Sequence, residues 1–200
     1  MMKKILLALL TSGVFFFLLL VTYWTHATYL EVNVLLYSAI FDSVFATIFA
    51  ATMLLFWKNS KIFSYFEKLQ LILIWLLSGY VLAISIPTLI DRSLSFYILE
   101  KIQQRGGGIQ LEKFEEVFTK EYVKEHRLVD VRLTEQQQSG TIDIENGCVT
   151  LTNFGETLAT FSRFFRKNFL PKQRLLMGSY SDELTDPFRH SDKGLDYNCQ

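Results

Sequence analysis

Three polar residues within a largely apolar stretch are of types that could do chemistry inside a membrane. Glu31, Ser38 and Asp42 are separated by seven and four residues, and at ~100° per residue this spacing places them on one stripe of a helix. A carboxylate within a spanning helix costs a few kcal/mol and normally faces a partner, a cavity or water. The pattern therefore predicts an intramembrane polar seam with Asp42 as its unusual member.

Two interpretations of Asp42 follow. In the first, the carboxylate belongs to a proton or substrate relay. In the second, it is neutral or paired and holds the three helices, or a second subunit, together. We favour the second because no Lys, Arg or His is expected at comparable depth to complete a relay. Ser78, Ser85 and Arg92 recur every seven residues on the third apolar segment, and we expect this row to pack against the seam.

The seam requires membrane-spanning helices, and three apolar segments are long enough to supply them. They cover about residues 5–24, 29–57 and 69–90, and ~20 apolar residues suffice to cross a hydrocarbon core of ~30 Å. The first segment exceeds the ~7 to 15 apolar residues of a cleaved signal peptide, so we interpret it as an uncleaved helix. Residues 1–91 are thus predicted to form a transmembrane domain.

The lysines near these segments predict an orientation. They are Lys3, Lys4, Lys58, Lys61 and Lys68. All of them precede the first span or lie between the second and the third, whereas residues 25–29 contain neither Lys nor Arg. The positive-inside bias places the N-terminus in the cytoplasm and everything after Asp91 on the opposite side. We expect a multi-pass protein of a cell membrane, with the bacterial inner membrane as its setting.

Asn146-Gly147 is a strong turn signal in the second half of the chain. This dipeptide tolerates the positive φ angles of a two-residue type I′ turn. Such a turn pairs Ile142 with Leu151 and Ile144 with Val149, and all four then share one face. A half-buried strand pair requires this alternation. We predict a hairpin over residues 142–151 whose apolar face is buried.

Apolar residues at helical spacing surround this hairpin. The four patterns are Leu94, Ile98 and Ile102; Leu111, Phe114 and Phe118; Tyr122, Leu128 and Leu133; and Leu158, Phe161 and Phe165. They predict a helix that stops at Gly106-Gly107-Gly108, a short helix, a longer helix that ends at Ser139-Gly140, and a last helix that Thr152 opens. Residues 178–200 form a polar tail, which we expect to be a strap or a disordered end.

Over about residues 93–169 the predicted order is helix, short helix, longer helix, hairpin and helix, and Leu151-Thr152 and Gly155-Glu156 follow the turn. This order and these residues resemble the winged helix-turn-helix superfamily. The resemblance covers nothing in the membrane half, and it implies a small α+β winged-helix-like domain at residues 92–177. Together with the three transmembrane helices predicted from the apolar segments, it gives the expected fold class, an α-helical membrane protein in which this domain follows the helices. It implies no single function, since one fold hosts unrelated roles. In DNA-binding members the third helix enters the major groove and the wing grips the backbone.

The charge pattern argues against a nucleic-acid partner. After Asp91 the chain carries 15 basic and 16 acidic side chains, and the predicted wing contains Asp143 and Glu145. Because nucleic-acid affinity depends largely on neutralising phosphates, we expect no nucleic-acid binding. One basic cluster consists of Arg163, Arg166, Lys167, Lys172 and Arg174. It fits either contact with lipid headgroups or a solvated helix end that complements its own dipole.

Motifs for catalysis, metal binding or cofactor binding are not found in the sequence. His26, His126 and His190 are scattered, and Cys148 and Cys199 can form at most one bridge. We therefore predict no catalytic residue, metal or cofactor.

Three functions stay open. We favour a membrane-anchored interaction module, an accessory or scaffold subunit of a cell-envelope complex that contacts the lipid bilayer and a membrane-protein partner or a second copy. The second is a membrane-bound winged-helix transcription regulator. The third is a component that acts on a lipid-linked substrate or in transport, with Asp42 and the membrane-face polar cluster Asp91 and Arg92 as its polar groups.

Overall fold

The computed structural model describes residues 2–189, 191 and 199. Three helices in its first half are long and apolar enough to cross a membrane, as predicted. They are α1 (Met2–Tyr29), α2 (Leu35–Phe56) and α3 (Tyr65–Arg92). At ~1.5 Å rise per residue they measure roughly 33 to 42 Å, which exceeds a hydrocarbon core of ~30 Å.

The ends of the first two helices differ from the prediction. α1 continues to Tyr29, because no Gly or Pro interrupts it after Trp24. α2 begins only at Leu35, so Glu31 lies exposed in the connection between the two helices. The predicted seam is wrong in its first member: Ser38 and Asp42 share α2, and Glu31 does not belong to that helix.

Small residues on α2 allow close packing of the three helices. The buried positions of α2 include Ala39, Ser43, Ala46 and Ala50. On α1 and α3, the rings of Phe15 and Trp75 stack with their centroids 5.7 Å apart, and the Trp75 indole donates a hydrogen bond to the Ser12 hydroxyl. Contact between neighbouring helices is therefore a mixture of small side chains and one interlocked aromatic pair.

Two helical segments follow within the same compact unit, which ends at His126. α4 (Leu94–Gln104) begins at the N-cap Ser93 and ends before Gly106 and Gly107, whose φ angles of 83° and 96° favour glycine. α5 covers residues 111–125 and includes a wide turn at Val117–Tyr122. The predicted helix stop at the glycines is confirmed.

The predicted longer helix from Tyr122 to Leu133 is wrong, since the structure divides it. Tyr122 belongs to α5, and α6 (Leu128–Gln138) starts after Arg127. Arg127 has a φ of 44°, a left-handed conformation that a continuous helix does not allow. The second compact unit begins at this residue.

The second unit contains α6, a hairpin and a further helix. The hairpin pairs β1 (Ile142–Glu145) with β2 (Cys148–Leu151) in the predicted register, and positive φ angles at Asn146 and Gly147 confirm the turn. Its predicted burial is wrong for three of the four apolar residues: Ile142 is buried, but Ile144, Val149 and Leu151 are 37%, 45% and 60% exposed.

α7 (Asn153–Phe169) follows the hairpin as predicted, and its N-cap is Thr152. A second hairpin, β3 (Arg174–Leu176) and β4 (Ser179–Ser181), was not predicted. Its turn uses Met177 and Gly178, both at positive φ, and the boundary that we predicted after residue 177 falls within it. The overall order of helices and the first hairpin follows the sequence pattern, while the winged-helix relationship and the domain boundaries stay predictions.

Candidate functional site

Asp42 has a partner inside the helical bundle. Its carboxylate Oδ1 lies 2.7 Å from Nδ1 of His26 on α1, and the two side chains are 3% and 15% exposed. Asp42 lies about 10 Å along α2 from the start of that helix. The contact is a hydrogen bond when the imidazole is neutral and an ion pair when it is protonated.

This contact overturns the premise on which we set the relay aside. The predicted spans, about residues 5–24 and 29–57, left His26 in the connection between them, and no basic residue was expected at the depth of Asp42. Because α1 continues to Tyr29, the imidazole instead lies within the helix and reaches the carboxylate. The pair can do two things chemically: it can hold α1 to α2, or it can exchange a proton.

We expected Ser78, Ser85 and Arg92 of α3 to pack against the polar seam of α2, and the structure shows a different contact. Gly79 is the residue that faces α2: a Cβ atom built on it would lie 2.0 Å from the Ser43 hydroxyl. Ser43 is buried, whereas Ser78 is half-buried and Ser85 is exposed. The absence of a side chain at Gly79, rather than a polar side chain one residue earlier, allows this approach.

The other predicted polar groups lie at the end of α3. Asp91 is exposed and Arg92 is half-buried, both in the last helical turn. Ser38 is half-buried on α2, one turn before Asp42. Of the residues that we predicted for the seam and the membrane-face cluster, only Asp42 is fully buried.

A polar network that sequence reasoning missed joins α4 to α5. The Lys101 side chain is 4% exposed, and its ammonium lies 2.6 Å from carboxylate oxygens of both Glu121 and Glu125. The Tyr97 hydroxyl donates a hydrogen bond to Glu125, and Arg105 donates two to Glu121. The signal was present in the sequence: Tyr97 and Lys101, like Glu121 and Glu125, are four residues apart and so share a helix face.

Four groups of this network, Tyr97, Lys101, Glu121 and Glu125, have a shifted pKa. Hydrogen bonds to Glu121 and Glu125 raise the pKa of Lys101, and the ammonium lowers the pKa of both carboxyls. Burial, followed by the hydrogen bond to Glu125, raises the pKa of Tyr97 to about 12. All four shifts favour the protonation states of neutral pH, in which each buried polar group has a partner.

We expect the α4–α5 contact to be equally stable from about pH 5 to 9 and weaker on both sides. Below this range the unfolded chain binds more protons at the carboxyls than the folded chain does, because folding lowers their pKa. The stability of the contact therefore decreases as the pH falls. Above about pH 10 the folded chain binds more protons at Tyr97 and Lys101, so stability falls as pH rises towards 12. Hydrogen exchange of amides 94–125, corrected for intrinsic rates, measures both limbs.

Tyr97→Phe should reduce the alkaline loss, and Tyr180→Phe, at an exposed tyrosine, is the matched control. An alkaline limb that is identical in Tyr97→Phe and the parent protein would contradict the assignment.

The second unit presents two surfaces and one covalent link. Ile144, Val149 and Leu151 form an exposed apolar surface, which we call the hairpin face. Cys148 of β2 is bonded to Cys199, with their Cα atoms 5.9 Å apart, so the one bridge that the sequence allowed is present. The basic residues that we predicted for headgroup contact are all in this unit, on α7, on β3 and between them.

Within residues 2–189, 191 and 199, no group of three His, Cys, Asp or Glu side chains could hold a metal ion. His126 contacts the rings of Tyr97 and Tyr122, and His190 lies outside the described residues.

Three candidate membrane-spanning helices are compatible with a multi-pass membrane protein. In comparisons with known proteins, no family model, no curated protein and no solved structure matches the chain.

Proposed function

We propose that this chain is a membrane-anchored protein-interaction module, an accessory or scaffold subunit of a cell-envelope complex. The observation that carries the proposal is the hairpin face: three large apolar side chains lie together on paired strands and are exposed. Apolar groups of this kind, on a rigid element, are typical of surfaces that bind another protein. The three spanning helices anchor the surface to the bilayer.

The buried polar groups support the same function. Asp42 is bonded to His26, and Lys101 is bonded to Glu121 and Glu125. The first contact joins α1 to α2 and the second joins α4 to α5, so each can hold two helices together without a further partner. These contacts therefore favour a structural role for the membrane helices and for the α4–α5 segment.

The disulfide supports a location on the side opposite the cytoplasm. Disulfides persist in oxidising compartments and are rare in the cytosol, and the lysine distribution favours the same side for the Cys148–Cys199 bond. This location, together with the acidic residues Asp143 and Glu145 of β1, argues against the transcription regulator. Alkaline phosphatase fused after Gln200 should be active, and a green fluorescent fusion at the same position should be dark.

Site-specific photo-crosslinking tests the interaction. We expect a photoreactive amino acid at Val149, introduced into the full chain in its native membrane, to give one protein adduct of discrete mass. The same group at Thr150 is the matched control, because this neighbour on β2 points to the opposite face of the hairpin. Leu151→Ser should weaken capture at Val149 at least about tenfold, since it removes an apolar contact.

Two results would overturn the proposal. One is the absence of any protein adduct at Val149 when the protein is present at normal levels. The other is equal capture at Val149 and Thr150, which would indicate random collision.

A second candidate function, in transport, gains support from the His26–Asp42 pair. A proton relay needs two exchanging groups within hydrogen-bond distance, and these two are 2.7 Å apart inside the helical bundle. The exchange of Asp42 for asparagine, argued in the Discussion, separates this candidate from the structural role.

A further inference from the structure

The chain concentrates positive charge around the end of α7. Residues 157–181, which we call the cationic segment, contain five basic side chains and no acidic one, although the whole chain carries 20 of each. The five are Arg163, Arg166, Lys167, Lys172 and Arg174. Among the described residues, none of them has an ion-pair partner. This charge is therefore available to an external group.

An exposed aromatic strip runs along the same segment. Phe161, Phe165 and Phe169 follow one another at helical spacing, and their ring centroids are 6.0 and 5.3 Å apart. Phe164 joins the strip through a contact of 5.9 Å with Phe169. All four rings are between 42% and 65% exposed. They contact one another, so the strip is already assembled on the surface.

The cations and the rings occupy different sides of α7. At ~100° per residue, Arg166 lies beside the aromatic strip, and Arg163 and Lys167 lie on the far side of the helix. Lys172 and Arg174 follow the last helical turn. A helix with aromatic rings on one side and Lys or Arg on the other is typical of an element that lies in the plane of a membrane interface.

A polar cleft of about 320 Å³ lies at the end of α7. It is lined by Lys167, Asn168, Lys172, Asp182 and Thr185. Its one carboxylate, Asp182, accepts a hydrogen bond from the Arg189 guanidinium at 3.2 Å, which neutralises that charge. The two lysine ammoniums leave the cleft positive, so it suits an anionic group such as a phosphate.

We propose that the cationic segment docks on an anionic lipid bilayer, with the aromatic strip in the headgroup region and lipid phosphates contacted by Arg166, which lies beside the strip, and by Lys172, which follows the helix. Charge complementarity favours this occupant, because a second copy on the same surface would bring like charges together. The spanning helices hold the segment near a bilayer, so docking is an intramolecular event. The cationic segment and the hairpin face share no residue, and the inference goes beyond the proposed interaction function.

Spin-label accessibility in the full chain tests the docking. A nitroxide is attached through p-acetylphenylalanine at Phe169, which leaves both cysteines in their bond. The control label replaces Glu156, on the opposite side of α7. The protein is reconstituted in nanodiscs of phosphatidylcholine alone or with about one third phosphatidylglycerol. We expect the label at 169 to become accessible to oxygen and protected from a water-soluble nickel complex only with phosphatidylglycerol, while the control label stays water-exposed.

Neutralising the cations should remove this response. The triple variant Arg166→Gln, Lys167→Gln and Lys172→Gln should lower the ratio of docked to undocked segment on the order of 100-fold. The matched triple variant Lys113→Gln, Lys120→Gln and Lys124→Gln removes equal charge from α5 and should keep the response. High salt should weaken docking through screening.

Three results would overturn the inference. Protection at position 169 that is equal in both lipid mixtures would mean insertion without recognition of anionic headgroups. Protection that appears only with two chains per disc would identify a second copy as the occupant. A label that stays water-exposed in every disc would mean that the segment does not dock. Crosslinking at Val149 is read independently of all three, so it tests the proposed function separately.

Discussion

Gly155→Ala is expected to destabilise the second unit by about 3 kcal/mol. A Cβ atom at this position would lie 1.9 Å from the backbone carbonyl oxygen of Thr141 and 3.2 Å from Leu151. Backbone cannot rotate away as a side chain can, so α7 must move from the start of the hairpin. That movement also breaks the bond that the Thr152 amide donates to the same carbonyl.

The direction of the stability change in Gly155→Ala distinguishes between two explanations. Gly155 lies in the first turn of α7, where alanine is intrinsically better than glycine by about 1 kcal/mol. Local propensity alone therefore predicts that Gly155→Ala stabilises, whereas the close approach predicts the opposite. Hydrogen exchange of amides 142–169 in the full chain measures the difference. Gly108→Ala, at a glycine with nothing within 4 Å, is the control and should change little; a neutral or stabilising Gly155→Ala would refute the observed packing.

Asp42→Leu is expected to weaken the association of α1 with α2 by roughly 1 to 2 kcal/mol, the value of a polar contact between helices in lipid. The loss arises because the His26 imidazole then has no acceptor at the position of the carboxylate. His26→Leu should cost a similar amount for the converse reason. The double variant should cost less than the sum of the two, since two apolar side chains in lipid leave neither polar group unpaired. Unfolding in bicelles of the parent protein, the two single variants and the double variant gives the four free energies of this double-mutant cycle.

Asp42→Asn separates the structural role from the relay. The amide keeps the size of the side chain and an oxygen that accepts a hydrogen bond from His26, but it removes the ionisable proton. We expect both assembly and cellular function to stay nearly intact, as they should with Ser38→Ala on the same helix. Loss of function in an Asp42→Asn protein that still assembles normally would instead assign the proton a role and favour the transport candidate.

Gly155 provides a physical reason for one part of the sequence pattern. The sequence pattern singled out Leu151-Thr152 and Gly155-Glu156 without a reason for their spacing. In the structure the Thr152 hydroxyl accepts a hydrogen bond from the Gly155 amide and donates one to the Gly140 carbonyl. Gly155 then permits the contact with Thr141. These residues join the hairpin to α7, whatever family the chain belongs to.

Features that depend on neighbours in the sequence were predictable. The three apolar spans follow from composition over about 20 residues, and the register of the first hairpin follows from Asn146-Gly147. The stop of α4 at its glycines is equally local. In each case a few consecutive residues decide the backbone, so no knowledge of distant partners was needed.

Local sequence patterns failed for three features of the second half of the chain. The apolar pattern from Tyr122 to Leu133 continues through Arg127, but the backbone turns there into a left-handed conformation. The second hairpin at Met177-Gly178 was missed because its strands are three residues each, too short to show an alternation. The burial of the hairpin face was also predicted wrongly. An alternating pattern shows that one face of a strand pair would gain from burial, but it does not show whether another element packs against that face.

The contacts that define the candidate sites were decided only by the tertiary structure. His26 and Asp42 are 16 residues apart on different helices, and their meeting depends on where α1 ends. Lys101 meets Glu121 and Glu125 because α4 and α5 lie side by side. The disulfide joins residues that are 51 positions apart. Residue types along the chain are enough to show which side chains carry charge and which segments are long and apolar enough to cross a membrane. Which charges pair depends on packing between segments, because an ion pair forms only when the two groups lie within about 4 Å of each other.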